Sequence, residues 1–532
     1  MTQLSGIRFQ VLRAAAAIIS GLLLASSFAP LEWADTAWLA LIPLIIALRF
    51  VSPRDGFRLG LLAGGVFWLT SISWLHHVSI PGWILLALYC GLYIGVFAWG
   101  CGHWLNRFGA AGFLANAGFI VFASTLWTAL EYVRSHVGTG FPWNGLGISQ
   151  YRNMAIIQIA SLGGSYAVSF LIVWISAAVG ITILRYVDTW GRWGRRLHLE
   201  MIMGFLVLAF AFAWGVKTIR STVEAGTPVR ISLIQPGIPQ DEKWDQAKID
   251  LIYARLRELT TAALRTGKPD LLVWPETAVP DDVRTSASSY DLVYEIVTNG
   301  TPLLVGSMDT AWQDTGHPVY YNSSFLFDRE GAIMFAYDKQ HLVPFGEYVP
   351  MRHIFPFMKA MTPIQESFNE GRTGTVFRLA SPEAAFSVLI CFEDTVAHLA
   401  RQMVRNGARM LVNQTNDAWF DPSAASRQHM AHGVFRCVEN GVPAVRSANS
   451  GVTCHIDRRG RIVDILDDGA GHTPTHGFST VEVAVPGADM PLTWYTRHGD
   501  MFAWGCAGVA GVMLALVRKR QTLNSKRLAF GV

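Results

Sequence analysis

Long apolar stretches separated by short polar loops dominate the first 217 residues. About 18 consecutive apolar residues suffice to cross a bilayer as a helix. Windows of this kind lie roughly at residues 12–30, 33–50, 57–77, 82–105, 110–133, 155–185, 199–217 and 502–518. The pattern predicts a membrane domain over residues 1–217 with about seven transmembrane helices, and a final transmembrane helix over residues 500–519.

The first apolar stretch also has features of a secretory signal peptide. Arg8 and Arg13 precede it, and small residues end it between Ala25 and Ala29. Several further apolar stretches follow before residue 220, so a retained transmembrane helix is the favoured interpretation.

Between residues 228 and 490 the pattern changes to short apolar runs that alternate with helical segments. Val229–Ile234, Leu271–Trp274 and Ser387–Cys391 are typical of buried strands, whereas Lys248–Arg265 and Arg427–Glu439 are typical of helices. Such alternation predicts an α/β domain over residues 228–490.

Composition supports a membrane protein, because charged residues make up only 15% of the chain and hydrophobic residues 51%. Soluble proteins usually carry about 25% charged residues. The net charge of +4 is small, so no nucleic-acid partner is expected. Residues 520–532 form a basic tail that is typical of a cytoplasmic anchor beside a membrane helix. The oligomeric state is left open.

The distribution of arginine predicts the orientation in the membrane. Short cytoplasmic loops are enriched in lysine and arginine. With a cytoplasmic N-terminus, the inner loops would hold Arg49, Arg54, Arg58, Arg107, Arg185, Arg192, Arg195 and Arg196. The outer loops are acidic at Leu31–Asp35 and lack lysine and arginine at His76–Gly82. Residues from about 220 to 500 are therefore predicted to lie outside the cytoplasm.

Three polar residues directly follow apolar runs of the predicted α/β domain: Glu276, Lys339 and Cys391. Strand ends of an α/β sheet deliver side chains to a shared crevice. Taken singly, the glutamate could cap a helix, the lysine could be solvated and the cysteine could be inert core. Together they predict one reactive site.

The chemistry of these three groups is complementary. A thiol reacts as the thiolate, and its unperturbed pKa is about 8.5. Glu276 could accept the proton of Cys391, and Lys339 could stabilise first the thiolate and then an oxyanion. The backbone N–H of Phe392 could supply a second oxyanion donor. This mechanism requires no metal and no cofactor.

Other reactive side chains predict less. No pair of cysteines has CxxC spacing, and Cys437 with Cys454 could form a disulfide or pack as free thiols. His429 and His432 could face one side of a helix, but without acidic partners at suitable spacing no metal site is predicted. Glu131 and Arg134 end an apolar stretch and are interpreted as a local pair near the membrane surface, so transport is not favoured.

Several motifs resemble those of the nitrilase superfamily. They are Trp-Pro-Glu-Thr at 274–277, Asp-Lys-Gln-His-Leu-Val-Pro-Phe-Gly-Glu-Tyr-Val-Pro at 338–350, Ile-Cys-Phe-Glu-Asp at 390–394, Asn-Asp-Ala-Trp-Phe at 416–420 and Glu-Asn-Gly-Val-Pro-Ala-Val-Arg at 439–446. Nearly the whole chain is similar to the apolipoprotein N-acyltransferases, which join a multi-span membrane unit to an extracytoplasmic nitrilase-like domain and one final span. Segments 140–147 and 235–244 also resemble that family.

The resemblance implies a fold and a reaction. The fold would be a multi-pass α-helical membrane domain plus a nitrilase-like αββα sandwich, in the bacterial inner membrane with the catalytic domain on the periplasmic side. Cys391 would take an acyl chain from a phospholipid, typically phosphatidylethanolamine, as a thioester. The α-amino group of diacylglyceryl-cysteine on an apolipoprotein would then receive it, with Glu276 moving protons in both steps.

The resemblance also implies roles for residues around the three reactive groups. Glu347 would be a supporting carboxylate, Glu393 would lie beside the nucleophile, and Trp244 and Trp419 would line the substrate entrance. Phe392 departs from the family, which has tyrosine there, but this leaves the backbone donor intact.

Two further hypotheses concern the rest of the site. The rivals to acyl transfer are a membrane-tethered amidase or nitrile hydrolase that uses water as acceptor, and an inactive binding module. The irregular apolar segment after Lys339 is expected to be either a mobile arm that dips into the membrane or part of the core. Its residues are Phe345, Tyr348, Ile354, Phe355, Phe357 and Met358.

Overall fold

The computed structural model describes residues 2–110, 112–188, 198–221, 226–312, 316–349, 367–420, 422–467 and 476–529. The chain forms two compact units. The first comprises Met1–Ser221 together with His498–Val532, and the second comprises Thr222–Arg497. The second unit is thus inserted in the sequence of the first.

The first unit is helical. Its helices are α1 (Thr2–Ser26), α2 (Ala37–Ala40), α3 (Ile42–Ala47), α4 (Pro53–Ser71), α5 (Ile80–Phe108), α6 (Phe113–Arg134), α7 (Met154–Ile157), α8 (Ala160–Gly163), α9 (Ser165–Asp188), α10 (Leu199–Arg220) and α16 (Met501–Ala529). Within the described residues, six helical segments are long and apolar enough to cross a membrane: Ile7–Ser26, Ile80–Phe108, Phe113–Arg134, Ser165–Asp188, Leu199–Arg220 and Met501–Arg518. The protein is therefore a multi-pass membrane protein.

Two of the predicted spans are built differently from the expectation. The span at 33–50 is a 3₁₀ turn followed by the short helices α2 and α3. Pro43 lies in the first turn of α3, and because proline has no N–H it cannot continue a preceding helix. The span at 57–77 corresponds to α4, which begins earlier, ends at Ser71 and carries charged residues in its first turns, such as Asp55.

Small residues allow α4 and α5 to pack closely. A Cβ on Gly64 would lie 2.8 Å from the Cα of Gly91, and one on Gly60 would lie 2.5 Å from the Cβ of Ala98. Helices in membranes commonly associate through such small-residue contacts. The final helix, α16, packs against α6, and its Phe502 ring lies 5.5 Å from the ring of Phe170 on α9.

Glu131 and Arg134, which were predicted as a local pair near the membrane surface, are both buried. Glu131 Oε1 accepts hydrogen bonds from Trp127 Nε1 at 2.9 Å and from the backbone N–H of Leu146 at 2.7 Å. The guanidinium of Arg134 donates to the carbonyl oxygen of Trp143 at 2.9 Å. Both side chains therefore fix the loop that follows α6.

The second unit contains two six-stranded sheets. The first has the order β12-β1-β2-β3-β4-β5 and the second β11-β10-β9-β8-β7-β6. The strands are β1 (Thr227–Gln235), β2 (Leu271–Val273), β3 (Leu303–Trp312), β4 (Pro318–Phe327), β5 (Ile333–Asp338), β6 (Phe377–Ala380), β7 (Glu383–Ile390), β8 (Met410–Thr415), β9 (Ala444–Ala448), β10 (Cys454–Ile456), β11 (Ile462–Ile465) and β12 (Gly477–Val485).

Helices cover both sheets, and their bounds are α11 (Ile249–Thr266), α12 (Ala287–Val297), α13 (Ala397–Arg405), α14 (Ala425–Asn440) and α15 (Trp494–His498). Helices α11 and α12 pack on the first sheet, whereas α13 and α14 pack on the second. Hydrogen bonds join the inner faces of the sheets, from Gln414 Nε2 to the carbonyl oxygen of Trp274 at 2.6 Å and from Ser447 Oγ to that of Ile234 at 3.0 Å. This confirms the predicted fold class, a helical membrane domain and an αββα sandwich.

Candidate active site

Glu276 lies in the turn after β2, Lys339 directly after β5 and Cys391 directly after β7. The structure brings Glu276 Oε1 to 3.7 Å from the Lys339 Nζ. The turn that carries Glu276 passes close to β3, where a Cβ on Gly306 would lie only 2.2 Å from the carbonyl oxygen of Pro275. Only glycine permits that approach.

Lys339 is 1% exposed and is held by two carboxylates. Its Nζ donates to Glu347 Oε1 at 2.9 Å, which is shorter than its distance to Glu276. Burial opposes the charge of Lys339, but Glu347, Cys391 and Glu276 outweigh it and raise the pKa of this ammonium. Lys339 therefore remains a fixed positive charge in the site.

Asn322 on β4 connects the two carboxylates and was not predicted from the sequence. Its Nδ2 donates to Glu276 Oε1 at 2.8 Å and to Glu347 Oε1 at 3.0 Å. The main-chain carbonyl oxygen of Asn322 accepts a hydrogen bond from the backbone N–H of Lys339 at 2.8 Å. The available signal was an asparagine between tyrosine and serine in a run that continues into the apolar residues Phe325–Phe327.

Cys391 begins a 3₁₀ turn with a φ of +54°, in the left-handed region that disfavours side chains. Its carbonyl oxygen accepts hydrogen bonds from Asn413 Nδ2 and from His429 Nε2, each at 3.1 Å. Burial of the thiol and the nearby Glu276 raise the pKa of Cys391, and Lys339 opposes that shift. Ionisation of the thiol therefore requires a base at hand.

Four buried charged side chains lie behind the nucleophile: His429, Arg446, Asp394 and Asp417. His429 Nε2 lies 2.7 Å from Asp394 Oδ1, and its Nδ1 lies 3.0 Å from Asp417 Oδ1. Arg446 donates to Asp394 Oδ2 at 3.0 Å and to Asp417 Oδ2 at 2.8 Å. Two cations thus balance two anions, and His429 is part of this cluster.

The charges of the cluster shift the pKa values of its members. Burial and Arg446 oppose the protonation of His429, but Asp394 and Asp417 outweigh them and raise its pKa to about 9. Burial opposes the ionisation of Asp417, yet Arg446 and His429 lower its pKa to about 2. At neutral pH His429 is therefore protonated and Asp417 is ionised.

Glu393 is fully buried beside Cys391. Its carboxylate accepts hydrogen bonds from the backbone N–H of Ile390 at 2.8 Å, of Gln340 at 2.7 Å and of His341 at 3.0 Å, and from the hydroxyl of Tyr337 at 2.9 Å. Burial raises the pKa of Glu393 to about 7, against the effect of these backbone donors. This side chain joins the segment after Lys339 to the turn of the nucleophile.

The aromatic residues singled out from the sequence differ in their surroundings. The ring of Phe392 stacks on that of His341 at 5.8 Å. Trp244 is 45% and Trp419 is 43% exposed. Gln240 and Asn416, which precede them in the chain, share a hydrogen bond of 2.8 Å.

The expected apolar arm lies mostly outside the described residues. Phe345 is described and is 45% exposed, and Tyr348 is described as well. Ile354, Phe355, Phe357 and Met358 lie outside the described residues. The arm remains a prediction.

The disulfide and the metal site considered in the sequence analysis are not found among the described residues. Cys437 and Cys454 are free and buried, so they do not form the disulfide considered above. In the described part of the chain, no group of three or more His, Cys, Asp or Glu side chains could hold a metal ion. A thiol, a carboxylate and a buried ammonium are the groups that nucleophilic acyl transfer uses.

Comparison with known proteins gives matches in both parts of the chain. Residues 20–178 match the family model of the apolipoprotein N-acyltransferase N-terminal domain, and residues 230–483 match that of carbon-nitrogen hydrolase. A yeast member of branch 10 of the nitrilase superfamily, from Saccharomyces cerevisiae, is 17% identical with a TM-score of 0.37, and the match covers 50% of this chain and 93% of that one.

Two relatives match along almost their full length. The apolipoprotein N-acyltransferase of Geobacter metallireducens is 36% identical over 96% of this chain and 96% of its own. That of Chlorobaculum tepidum is 30% identical over 94% of this chain and 96% of its own. These matches confirm the resemblance predicted from the motifs and show that the protein is an acyltransferase. The chain belongs to the apolipoprotein N-acyltransferase family.

Proposed function

We propose that this acyltransferase moves an acyl chain from a phospholipid, with phosphatidylethanolamine as the expected donor, to the α-amino group of the N-terminal diacylglyceryl-cysteine of apolipoproteins. The acyl chain would travel as a thioester on Cys391, and the transfer would complete lipoprotein maturation. The observation that carries the proposal is the ion pair between Glu276 and Lys339. The charges of both side chains act on the pKa of the Cys391 thiol. The name shared by the relatives supports lipoprotein N-acylation.

In the first step Glu276 takes the proton of the Cys391 thiol, and the sulfur attacks the ester carbonyl carbon. Lys339 and the backbone N–H of Phe392 stabilise the oxyanion. The carbon–oxygen bond of the ester then breaks, and the leaving oxygen takes the proton from Glu276. Lysophospholipid leaves, and the acyl chain remains on sulfur.

In the second step the neutral amine of the apolipoprotein attacks the thioester carbonyl. Glu276 takes a proton from the attacking nitrogen, since the same carboxylate is free again. The carbon–sulfur bond breaks, and the leaving sulfur recovers the proton from Glu276. The product is an amide, and the enzyme returns to its starting state.

The proposed location is the bacterial inner membrane, with the unit Thr222–Arg497 on the periplasmic side. The arginine-rich loops of the predicted cytoplasmic face support this orientation. Trp244, Trp419, Glu347 and Glu393 are proposed to support the site, the tryptophans at the substrate entrance and the carboxylates around Lys339 and Cys391.

Intact-mass analysis of the purified full-length protein tests the proposal. Given phospholipid alone, the protein should gain the mass of one acyl chain, and a lipidated peptide should then remove it as an amide. Cys391→Ala should abolish the adduct, whereas Cys437→Ala, which removes a buried cysteine, should not. Release of free fatty acid in place of the amide would indicate a hydrolase, and the absence of any adduct would contradict the thioester.

A further inference from the structure

Lys243 is a buried lysine that the two proposed steps do not use. It lies in the turn between β1 and α11 and is 3% exposed. Its Nζ donates to the main-chain carbonyl oxygen of Glu276 at 3.1 Å. Among the residues that the structure describes, no carboxylate forms an ion pair with it. The ammonium is therefore placed against the backbone of the proposed base.

The turn that carries Lys243 is fixed by several hydrogen bonds. The backbone N–H of Lys243 donates to the carbonyl oxygen of Pro239 at 3.1 Å, and that of Gly237 donates to the carbonyl oxygen of Asn449 at 2.7 Å. Asn449 Oδ1 also accepts from the backbone N–H of Ile238 at 3.0 Å. The start of the turn is thus held to Asn449, which follows β9, and a hydrogen bond within the turn fixes the backbone at Lys243.

A buried ammonium without a carboxylate partner is costly, because burial disfavours the charged form. Burial lowers the pKa of Lys243 to about 8, while Glu276 and Cys391 act in the opposite direction. Those two are the titratable groups that act on it. The lysine is thus still mostly protonated at neutral pH. Its charge interacts with Glu276 and Cys391, the two groups between which the proton moves in the first step.

The charge balance of the site explains why such a group is useful. Glu276 and Glu347 are both bound to Lys339, so the single positive charge there faces two carboxylates. Transfer of the thiol proton to Glu276 moves a negative charge onto Cys391, and the site keeps its excess of one negative charge. A second ammonium beside Glu276 compensates that excess.

We propose that Lys243 is a positioning residue of this active site, which fixes the main chain at Glu276 and supplies the second positive charge that stabilises the Cys391 thiolate. This inference rests on the proposed role of Cys391 as nucleophile. It adds the charge of Lys243 to that of Lys339, which binds Glu347, also favours the Cys391 thiolate and is proposed to stabilise the oxyanion.

The test is the rate at which iodoacetamide, an uncharged probe, alkylates Cys391 in the full-length protein, read from the mass of the Cys391 peptide. At pH 7, Lys243→Gln should slow alkylation about tenfold, because glutamine keeps a donor for the Glu276 carbonyl but loses the charge. Lys243→Arg should retain most of the rate. The difference between wild type and Lys243→Gln should shrink above about pH 9, where Lys243 itself has lost its proton.

Lys248→Met is the matched control, because this lysine lies five residues away in the chain with 42% of its side chain exposed, and it should behave as wild type. A wild-type rate in Lys243→Gln at pH 7 overturns the charge role, whatever the stability of other variants. Equal loss in Lys243→Arg and Lys243→Gln, with unchanged thermal unfolding, overturns it too. A wild type that is alkylated at Cys391 but forms no thioester from phospholipid contradicts the proposed function alone.

Discussion

The Nε2 of His429 lies 3.1 Å from the carbonyl oxygen of Cys391, so the imidazole holds the main chain of the proposed nucleophile and not its thiol. Cys391 needs that support, because its φ of +54° is costly for a residue with a side chain, by about 1–3 kcal/mol. Asn413 donates to the same carbonyl oxygen. The buried charged cluster therefore supports the main chain at Cys391 through His429.

Replacing His429 with alanine should slow thioester formation by up to about 100-fold, because a displacement of about 1 Å at a reacting atom can have such an effect. The rate of acyl-adduct formation on Cys391, followed by mass, measures it. His432→Ala is the control, since that residue lies one turn along α14 and is equally buried. If both variants lose the same activity and the same thermal stability, His429 is only structural.

The stability of the protein should fall as pH rises from about 6.5 to about 9 through the titration of His429. The pKa of His429 is raised to about 9 in the folded protein, so its contribution is full below the unfolded value near 6.5 and is lost as pH passes about 9. Lys243 has a lowered pKa and acts with the opposite sign in this window. Thermal unfolding of wild type and of His429→Gln should therefore converge as pH rises. A constant difference would contradict the assignment.

Glu276→Gln should slow both acylation and aminolysis by about 100-fold or more, since glutamine keeps the shape but is no base. Its side-chain oxygen can still accept from Asn322, so folding should be preserved. Single-turnover measurements of each step separate the two effects. Glu295→Gln removes an exposed ion pair with Arg257 and serves as control. Loss of only one of the two steps would contradict a shared base.

Tyr337→Phe should lower the melting temperature, because the change leaves the buried Glu393 carboxylate with backbone donors alone. Loss of one partner of a buried polar group typically costs about 1–3 kcal/mol. Tyr294→Phe, at a side chain that is 47% exposed, should have no such effect. Equal melting temperatures for the two variants would show that the Tyr337 hydroxyl is dispensable.

A reporter fused after residue 228 should be extracytoplasmic, and one fused at the C-terminus should be cytoplasmic. Alkaline phosphatase activity and fluorescent-protein maturation give opposite readouts for the two compartments. The same side for both fusions would mean that the predicted number of spans between them is wrong.

The sequence predicted the parts of the structure in which one local pattern has one physical meaning. Apolar stretches such as that of α9 can only be buried or lie in lipid, and the polar residue after an apolar strand, as at Cys391, is delivered to a strand end. Proline at position 43 was a local signal for the break before α3. One continuous span was nevertheless predicted, because the window at 33–50 is mostly apolar.

Contacts between distant segments were not predictable in the same way. Asn322 lies 46 residues from Glu276 and 25 from Glu347, and nothing in the sequence states that one amide will reach both. The sequence indicated no acidic partner for His429, because Asp394 and Asp417 are contributed by other elements. Lys243 had no sequence signal except its position before Trp244.

Because Thr222–Arg497 is inserted between α10 and α16, the ribosome completes this unit before it synthesises the last helix of the first unit. The face of α6 that contacts α16 is made early, but its partner follows only after the whole inserted unit. At 5–20 residues per second, that delay is roughly 14 to 55 s. During this interval the face of α6 that packs against α16 lacks its partner. A nascent chain that stalls inside the inserted unit never receives its last helix, so this contact forms only in chains that are synthesised through α16.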